Sequence, residues 1–138
     1  MRRYIVNLAA SFSLVTLMAT APAAATDAAI RQVIGAQIEA FEADDFSAAF
    51  EHASPAIRRM FATPERFGSM VQQGYPMVHR PAGVRFLEAQ ERGAAVLQRV
   101  LITDEEGRLH LLEYEMIDAD GRYLINGVRL LRGVDEGV

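Results

Sequence analysis

Three glycines, Gly93, Gly107 and Gly121, recur at intervals of 14 residues. Each follows polar residues, Gln90-Glu91-Arg92, Asp104-Glu105-Glu106 and Asp118-Ala119-Asp120. This is the arrangement expected where right-handed backbone positions lead into a left-handed one, which glycine fills at little cost. The runs between them are rich in Val, Ile, Leu and Tyr, so Gly83 to Leu131 is predicted to be an antiparallel meander of four long strands. The question then becomes what covers the sheet.

Three-residue loops ending in glycine would set Gln90 opposite Ala94, Asp104 opposite Arg108 and Asp118 opposite Arg122. Even residues would then share one face of the sheet and odd residues the other. The even face carries Val84, Phe86, Val96, Val100, Ile102, Leu112, Met116, Leu124, Val128 and Leu130, and is the more apolar, so it is assigned to the core. One row across it is polar: Phe86 faces Gln98, Gln98 faces Tyr114, and Tyr114 faces Asn126. Each buried polar group without a partner costs roughly 1 to 3 kcal/mol, so this row is expected to bond internally, to water or to a ligand. The odd face mixes Leu97, Leu111, Tyr123 and Ile125 with Arg99 and Glu113, which oppose each other, and with Arg85 on the other side of Arg99. An apolar face crossed by charge pairs predicts a homodimer through it. All of this depends on register, because a slip of one residue exchanges the faces.

The first half reads as helical. Asp27 is placed to cap a helix with an apolar stripe at Ile30, Val33, Ile34, Ile38 and Phe41. Asp44-Asp45 interrupts it, and Phe46, Ala49, Phe50 and Ala53 start a second, shorter helix. Ser54-Pro55 and Thr63-Pro64 repeat one start signal, a capping hydroxyl followed by proline at the first helical position. The two short helices that follow bury Ile57 and Phe61, then Phe67, Met70 and Val71, the latter ending at Gly74. Tyr75 to Pro81 contains two prolines and is predicted to be an extended crossing to the sheet.

Asp44-Asp45-Phe46, Ala49-Phe50, Ala53-Ser54-Pro55, Thr63-Pro64-Glu65-Arg66-Phe67, Gly74-Tyr75-Pro76-Met77-Val78 and Ile125-Asn126-Gly127-Val128-Arg129 resemble a bacterial family named domain of unknown function 4864. The resemblance runs from about Asp27 to Leu131. That family is in turn similar to the nuclear transport factor 2-like (SnoaL-like, cystatin-like) superfamily, which implies an α+β cone: N-terminal helices packed on a curved four-stranded antiparallel sheet. Such cones serve isomerases, cyclases, dehydratases and plain binding modules, so the resemblance constrains fold far more than function.

Composition narrows function by exclusion. Met1-Arg2-Arg3, an uncharged apolar run from Tyr4 to Ala19 and the small residues Ala21 to Ala25 have the layout of a secretory signal cleaved after Ala25. The rival is an uncleaved anchor, since a run of about 16 residues approaches a bilayer span. This divides the chain into a signal peptide at 1–25, one domain at 26–132 and a disordered tail at 133–138, and it implies a periplasmic or secreted protein with no membrane contact after cleavage. The part beyond the signal holds 12 arginines against 18 acids, a formal charge of −6, which disfavours nucleic acid. The chain has no cysteine and all its basic residues are arginine. Thiolate and Schiff-base chemistry and lysine-dependent phosphate loops are therefore excluded.

The candidate pocket residues are Gln98, Tyr114, Asn126 and Phe86 on the even face, with Tyr75 at the base of the cone, His79 and Arg80 at its mouth, and Glu88 near the first turn. The dimer-face candidates are Leu97, Arg99, Leu111, Glu113, Tyr123 and Ile125. His52 and His110 stand apart in sequence and read as packed residues, and no pair has metal-ligand spacing, so no metal and no cofactor is expected. The reading favours an exported module that binds a small apolar ligand. One alternative is a cofactor-free proton-transfer enzyme in the same cavity, of isomerase, dehydratase or hydrolase type, with Tyr114 as donor and His79 or Glu88 as base. The other is a dimerising scaffold whose cavity is filled. Binding is preferred to catalysis because the predicted interior row is neutral, and general acid-base work uses a carboxylate or imidazole in a dry pocket.

Overall fold

The computed structural model describes residues 23–131. The expected signal sequence, apart from Ala23 to Ala25, and the expected tail from 133 lie outside these residues. Five helices precede four strands: α1 (Ala23–Glu42), α2 (Phe46–Glu51), α3 (Pro55–Phe61), α4 (Pro64–Gly74) and α5 (Pro76–His79), then β1 (Gly83–Arg92), β2 (Ala95–Thr103), β3 (Leu109–Ala119) and β4 (Arg122–Leu131). The strands form one antiparallel sheet in the order β1-β2-β3-β4. The fold is α+β, helices on a four-stranded meander. Among the described residues no helix is long and apolar enough to cross a membrane.

The helical layer follows its local signals with four departures. Ser54 Oγ accepts from the Ile57 amide at 3.3 Å and Thr63 Oγ1 from the Arg66 amide at 3.2 Å, each with proline at the first position of α3 or α4. The α1 stripe buries Ile30, Ile34, Ile38 and Phe41. Asp27, however, is inside α1 rather than at its cap, because Ala23 to Ala25 are strong helix formers and carry the helix upstream. Cleavage after Ala25 would return Asp27 to the terminus. The second helix stops at Glu51, and Ala53 instead bridges to Ile125. Ile57 and Phe61 are only partly buried, for no residue of α3 is buried. Finally, Pro76 to His79 forms a helical turn and not an extended crossing: Pro76 lies in its first turn, where a missing amide hydrogen costs nothing.

In the sheet the glycine ruler marks the turns but not their lengths. All three glycines have positive φ, 61° at Gly93 and 82° at Gly107 and Gly121. Only the middle loop has three residues: Asp104 donates its amide to the Arg108 carbonyl at 2.9 Å, and Gly107 donates to the Asp104 carbonyl at 3.0 Å. The outer loops have two. Arg92 pairs with Ala95 around Gly93-Ala94, and Ala119 pairs with Arg122 around Asp120-Gly121. Asp120 also has positive φ, 56°, as a type I′ turn requires.

Each two-residue loop starts its hairpin with residues of unlike parity opposed, and each hairpin then carries a bulge that restores like parity. In β1, Leu87 and Glu88 lie between the pairs Phe86–Val100 and Ala89–Gln98, so two residues oppose Arg99 alone. In β4, Asn126 is the extra residue between Ile125–Met116 and Gly127–Glu115. The expected faces therefore hold in β2 and β3 and far from the outer turns, and they swap near those turns. Gln98 still faces Tyr114, and Arg99 still faces Glu113. Phe86 faces Val100 rather than Gln98, Arg85 faces Leu101, and Tyr114 faces Val128 rather than Asn126. Ile125 joins the core with Tyr123 packed against it, whereas Leu124 opposes Ile117 on the outer side. Tyr123 and Ile125 are thus corrected from the outer face to the inner.

The free edge of β4 is bridged at one position, Ile125. The Ile125 amide donates to the His52 carbonyl at 2.9 Å and the Ser54 amide to the Ile125 carbonyl at 2.8 Å. This bridge covers the edge at Ile125, where it would otherwise be open to another strand, and it ties the helices to the sheet.

Candidate functional site

Between the helices and the β3–β4 half of the sheet lies a cavity of about 210 Å³. Its floor is built around Phe67 of α4, whose ring lies 5.4 to 5.7 Å from those of Phe50, Phe41 and Phe61. These are tilted arrangements that suit the aromatic quadrupole. Met70 and Val71 of α4 continue the apolar wall, and Val128 and Ile125 close it from β4. The roof is α3, which contributes Ile57, Met60 and Phe61. Met60 is 70% exposed and marks the rim.

This roof is lightly held. α3 is seven residues long, and it ends at Ala62 with φ 68° and ψ −40°. The Thr63 amide donates to the Phe61 carbonyl at 2.8 Å across Ala62. That is a γ-turn of the positive-φ kind, which strains a residue bearing a Cβ by about 1 to 3 kcal/mol.

Three polar side chains line the cavity: Gln37, Tyr75 and Tyr114. Gln37 Nε2 donates to the Ala49 carbonyl at 3.1 Å, joining α1 to α2. The Tyr75 hydroxyl donates to the Val128 carbonyl at 3.1 Å, joining the end of α4 to β4. Tyr114 is fully buried, and its hydroxyl has no hydrogen-bond partner among the described residues. Burial, with the nearby Tyr75 adding to it, pushes the Tyr114 phenol far above its ordinary value of 10.0. It stays protonated at any physiological pH, with its proton free for an acceptor. No acid, base or histidine lines the cavity among the described residues.

Of the residues the sequence nominated, the structure brings Tyr75 and Tyr114 together here. The other six lie elsewhere, each for a physical reason. Gln98 is buried beside Tyr114 in the pairing, but its Nε2 donates to the carbonyls of Leu87 and Arg99, both at 2.9 Å, and so satisfies the β1 bulge. Asn126 is itself the β4 bulge: its Oδ1 accepts from Ser54 Oγ at 2.8 Å, and its Nδ2 reaches Glu115 at 3.4 Å. Phe86 lies beyond the β1 bulge beneath the Arg31 guanidinium, 5.7 Å away. Glu88 is on the outer face, paired with Arg99 at 3.1 Å.

His79 and Arg80 are not at the mouth. Arg80 Nη1 donates to the carbonyls of Phe41 and Glu42 at the end of α1, and its Nη2 donates to both Asp44 oxygens at 3.0 Å. His79 Nε2 lies 2.7 Å from Asp44 Oδ1. These contacts hold the Asp44 carboxyl below its usual range, with the His79 hydrogen bond the leading cause. The pair clamps a loop whose Asp44 has positive φ, 53°. His110 is similarly anchored 2.8 Å from Asp104, a carboxylate that also organises the second turn through the amides of Glu106 and Arg108.

Sequence reasoning missed Gln37 as a lining residue and the part that α3 plays as the roof, although the helix itself was expected. Gln37 falls three residues after Ile34 and four before Phe41, a polar residue on the apolar stripe, and that spacing was the available signal. The roof had no comparable signal, because Ile57 and Phe61 read as ordinary packing residues and Met60 drew no attention.

The family model described as Domain of unknown function (DUF4864) matches residues 23–138. No curated protein matches the chain. Among solved structures, the solution structure of RPA3114, a SEC-C motif containing protein from Rhodopseudomonas palustris, is 15% identical with a TM-score of 0.55, covering 72% of this chain and 77% of that one. A crystal structure of a Kribbella flavida protein is 16% identical over 74% and 86% of the two chains, with a TM-score of 0.46. An NTF-2 like protein of unknown function from Burkholderia xenovorans is 16% identical over 75% and 84%, with a TM-score of 0.45.

Proposed function

Because the chain belongs to the family Domain of unknown function (DUF4864), whose name assigns no activity, we propose a function from its own geometry: an exported module that binds a small molecule under α3. The observation that carries this reading is an apolar cavity of about 210 Å³ containing Tyr114, a residue whose buried hydroxyl has no partner among the described residues. Apolar pockets with a few placed polar groups are the usual form of small-molecule sites. Catalysis by proton transfer is the weaker reading: His79 and Glu88, the bases it would use, are bound to Asp44 and Arg99 away from Tyr114. Export rests on the layout of residues 1–25, and N-terminal sequencing of the exported chain tests it, with Thr26 expected first. Binding is tested by thermal shift of the native protein against a library of small metabolites. A native chain that no compound stabilises would refute the binding reading.

The outer face of the sheet supports a second element of this proposal, a homodimer. Glu88, Arg99, Glu113 and Arg129 form a row of alternating sign that crosses all four strands, with contacts of 3.1, 3.5 and 2.6 Å. Leu97, Leu101 and Leu111 are partly exposed on the same face. Under a two-fold axis the row runs antiparallel to its copy, so Glu88 meets Arg129 and Arg99 meets Glu113, a self-complementary match. Light scattering of the chain from Thr26 onward is expected to give a dimer, and Leu97→Arg a monomer. A native monomer ends this proposal.

A further inference from the structure

We infer that the cavity takes an uncharged molecule with one hydrogen-bond acceptor, a carbonyl or ether oxygen held by the Tyr114 hydroxyl, on a compact hydrocarbon body. The inference rests on the binding reading above and narrows it to a chemical class. Three observations define the class.

The first is the state of the donors in the wall. The Gln37 amide is committed to Ala49 and the Tyr75 hydroxyl to Val128. Tyr114 alone of the three polar residues has a buried hydrogen-bonding atom with no partner among the described residues, and a donor buried without an acceptor is a standing cost that the right ligand removes. The second is charge. The wall has no arginine, acid or histidine among the described residues, so a carboxylate or an ammonium group would be desolvated there without a counter-charge. A neutral acceptor is the polar group that satisfies the Tyr114 hydroxyl without bringing an unpaired charge into the cavity.

The third is size. An apolar cavity of about 150 Å³ accepts benzene, and drug-sized ligands need about 300 Å³ or more. At about 210 Å³, the space fits one ring with a short substituent, or a branched chain of similar bulk. Entry falls to α3: it has no buried residue, and it hangs between the Ser54 cap and the strained Ala62 turn. The exposed Met60 marks the side from which the cavity is reached.

The test compares acetophenone, ethylbenzene and benzoate, which are similar in bulk but offer a neutral acceptor, no acceptor and a charge. Affinities for the full chain are measured by titration calorimetry, with native protein and Tyr114→Phe. Acetophenone is expected to bind native protein and to weaken about three- to tenfold in Tyr114→Phe, the range of one net hydrogen bond. Ethylbenzene is expected to bind both proteins equally within about twofold, which also shows that the variant is folded. Benzoate is expected to bind neither. If Tyr114→Phe leaves acetophenone unchanged, or weakens acetophenone and ethylbenzene alike, the acceptor class is overturned while binding stands. Benzoate binding tighter than acetophenone overturns neutrality. If none of the three binds native protein, the inference fails together with the binding reading.

Discussion

Replacing Tyr114 by phenylalanine removes one oxygen from the largest fully buried side chain among the described residues and leaves the ring where it is. In most buried tyrosines this costs stability, because the hydroxyl is bonded. Here the ring is fully buried and the hydroxyl has no partner among the described residues. An unsatisfied buried polar group carries a desolvation cost of about 1 to 3 kcal/mol. Part of that is repaid by dispersion contacts that the oxygen makes and the variant loses, so the net expectation is a gain of about 1 kcal/mol. For a domain of this size such a gain raises Tm by roughly 4 °C. Urea unfolding followed by circular dichroism measures it directly, with the midpoint moving up and the m-value unchanged. A loss of about 1 kcal/mol or more would refute the reasoning, since it would mean that the hydroxyl is bonded in the folded protein. The sign therefore separates a site that holds a donor in reserve, at a cost to stability, from an ordinary structural tyrosine.

Three further substitutions test other parts of the fold. A Cβ built on Gly68 lies 2.5 Å from Cγ of Phe46, the fixed root of that ring. Gly68→Ala is expected to lose about 1 kcal/mol, because overpacking of about 1 to 3 kcal/mol outweighs the helical preference for alanine of about 1 kcal/mol; a more stable variant in urea would contradict this. Ala62→Gly is expected to gain about 1 kcal/mol by relieving about 1 to 3 kcal/mol of strain against less than about 1 kcal/mol of added unfolded-chain entropy, and a loss in the same assay would remove the strained hinge from the account of α3. His52 is held below its ordinary value of 6.5, chiefly by burial and then by the Arg122 charge, with Glu51 acting the other way. As pH falls the unfolded chain takes up this proton first, so the contribution of His52 is present above 6.5 and is lost as pH falls through the lower folded value. Urea stability measured between about pH 7.5 and 5.5 should decline less steeply in His52→Gln than in native protein; parallel slopes would contradict it. Asp44 and Asp104, both lowered from 3.8, lose their contributions only in stronger acid and do not confuse the measurement.

How much of this was legible in the chain differs by level. The class of the fold, the two proline-led helices, the α1 stripe and the positions of the three turns are all local matters: a hydroxyl before proline, a 3.6-residue period, a glycine where φ must be positive. They follow from a few neighbouring residues, and they are found where those residues put them. The central strands also keep the expected register, so Gln98 faces Tyr114 and Arg99 faces Glu113, because Asp104 fixes a three-residue loop between them.

The edge strands and the site were settled only by the folded whole. A glycine of positive φ can be the first, second or third residue of its loop, and Gly93, Gly121 and Gly107 are one of each. A change of one residue in loop length exchanges the faces of a strand, so the signal that located the turns left their consequences open. The bulges at Leu87-Glu88 and Asn126 then bring the far halves of β1 and β4 back to the face that the helices must cover, and the polar residues expected in the cavity are used to stabilise those bulges. Gln98 supplies bonds to carbonyls that the β1 irregularity strands, and Asn126 fastens the β4 bulge to Ser54. Only Tyr114, on the undisturbed central hairpin, keeps both its predicted place and an unspent hydroxyl. Residues whose position follows from neighbours in sequence can be read from sequence; those whose partners are set by twist, bulge and the weight of a helical layer cannot, because their bonds form to backbone that exists only in the assembled sheet.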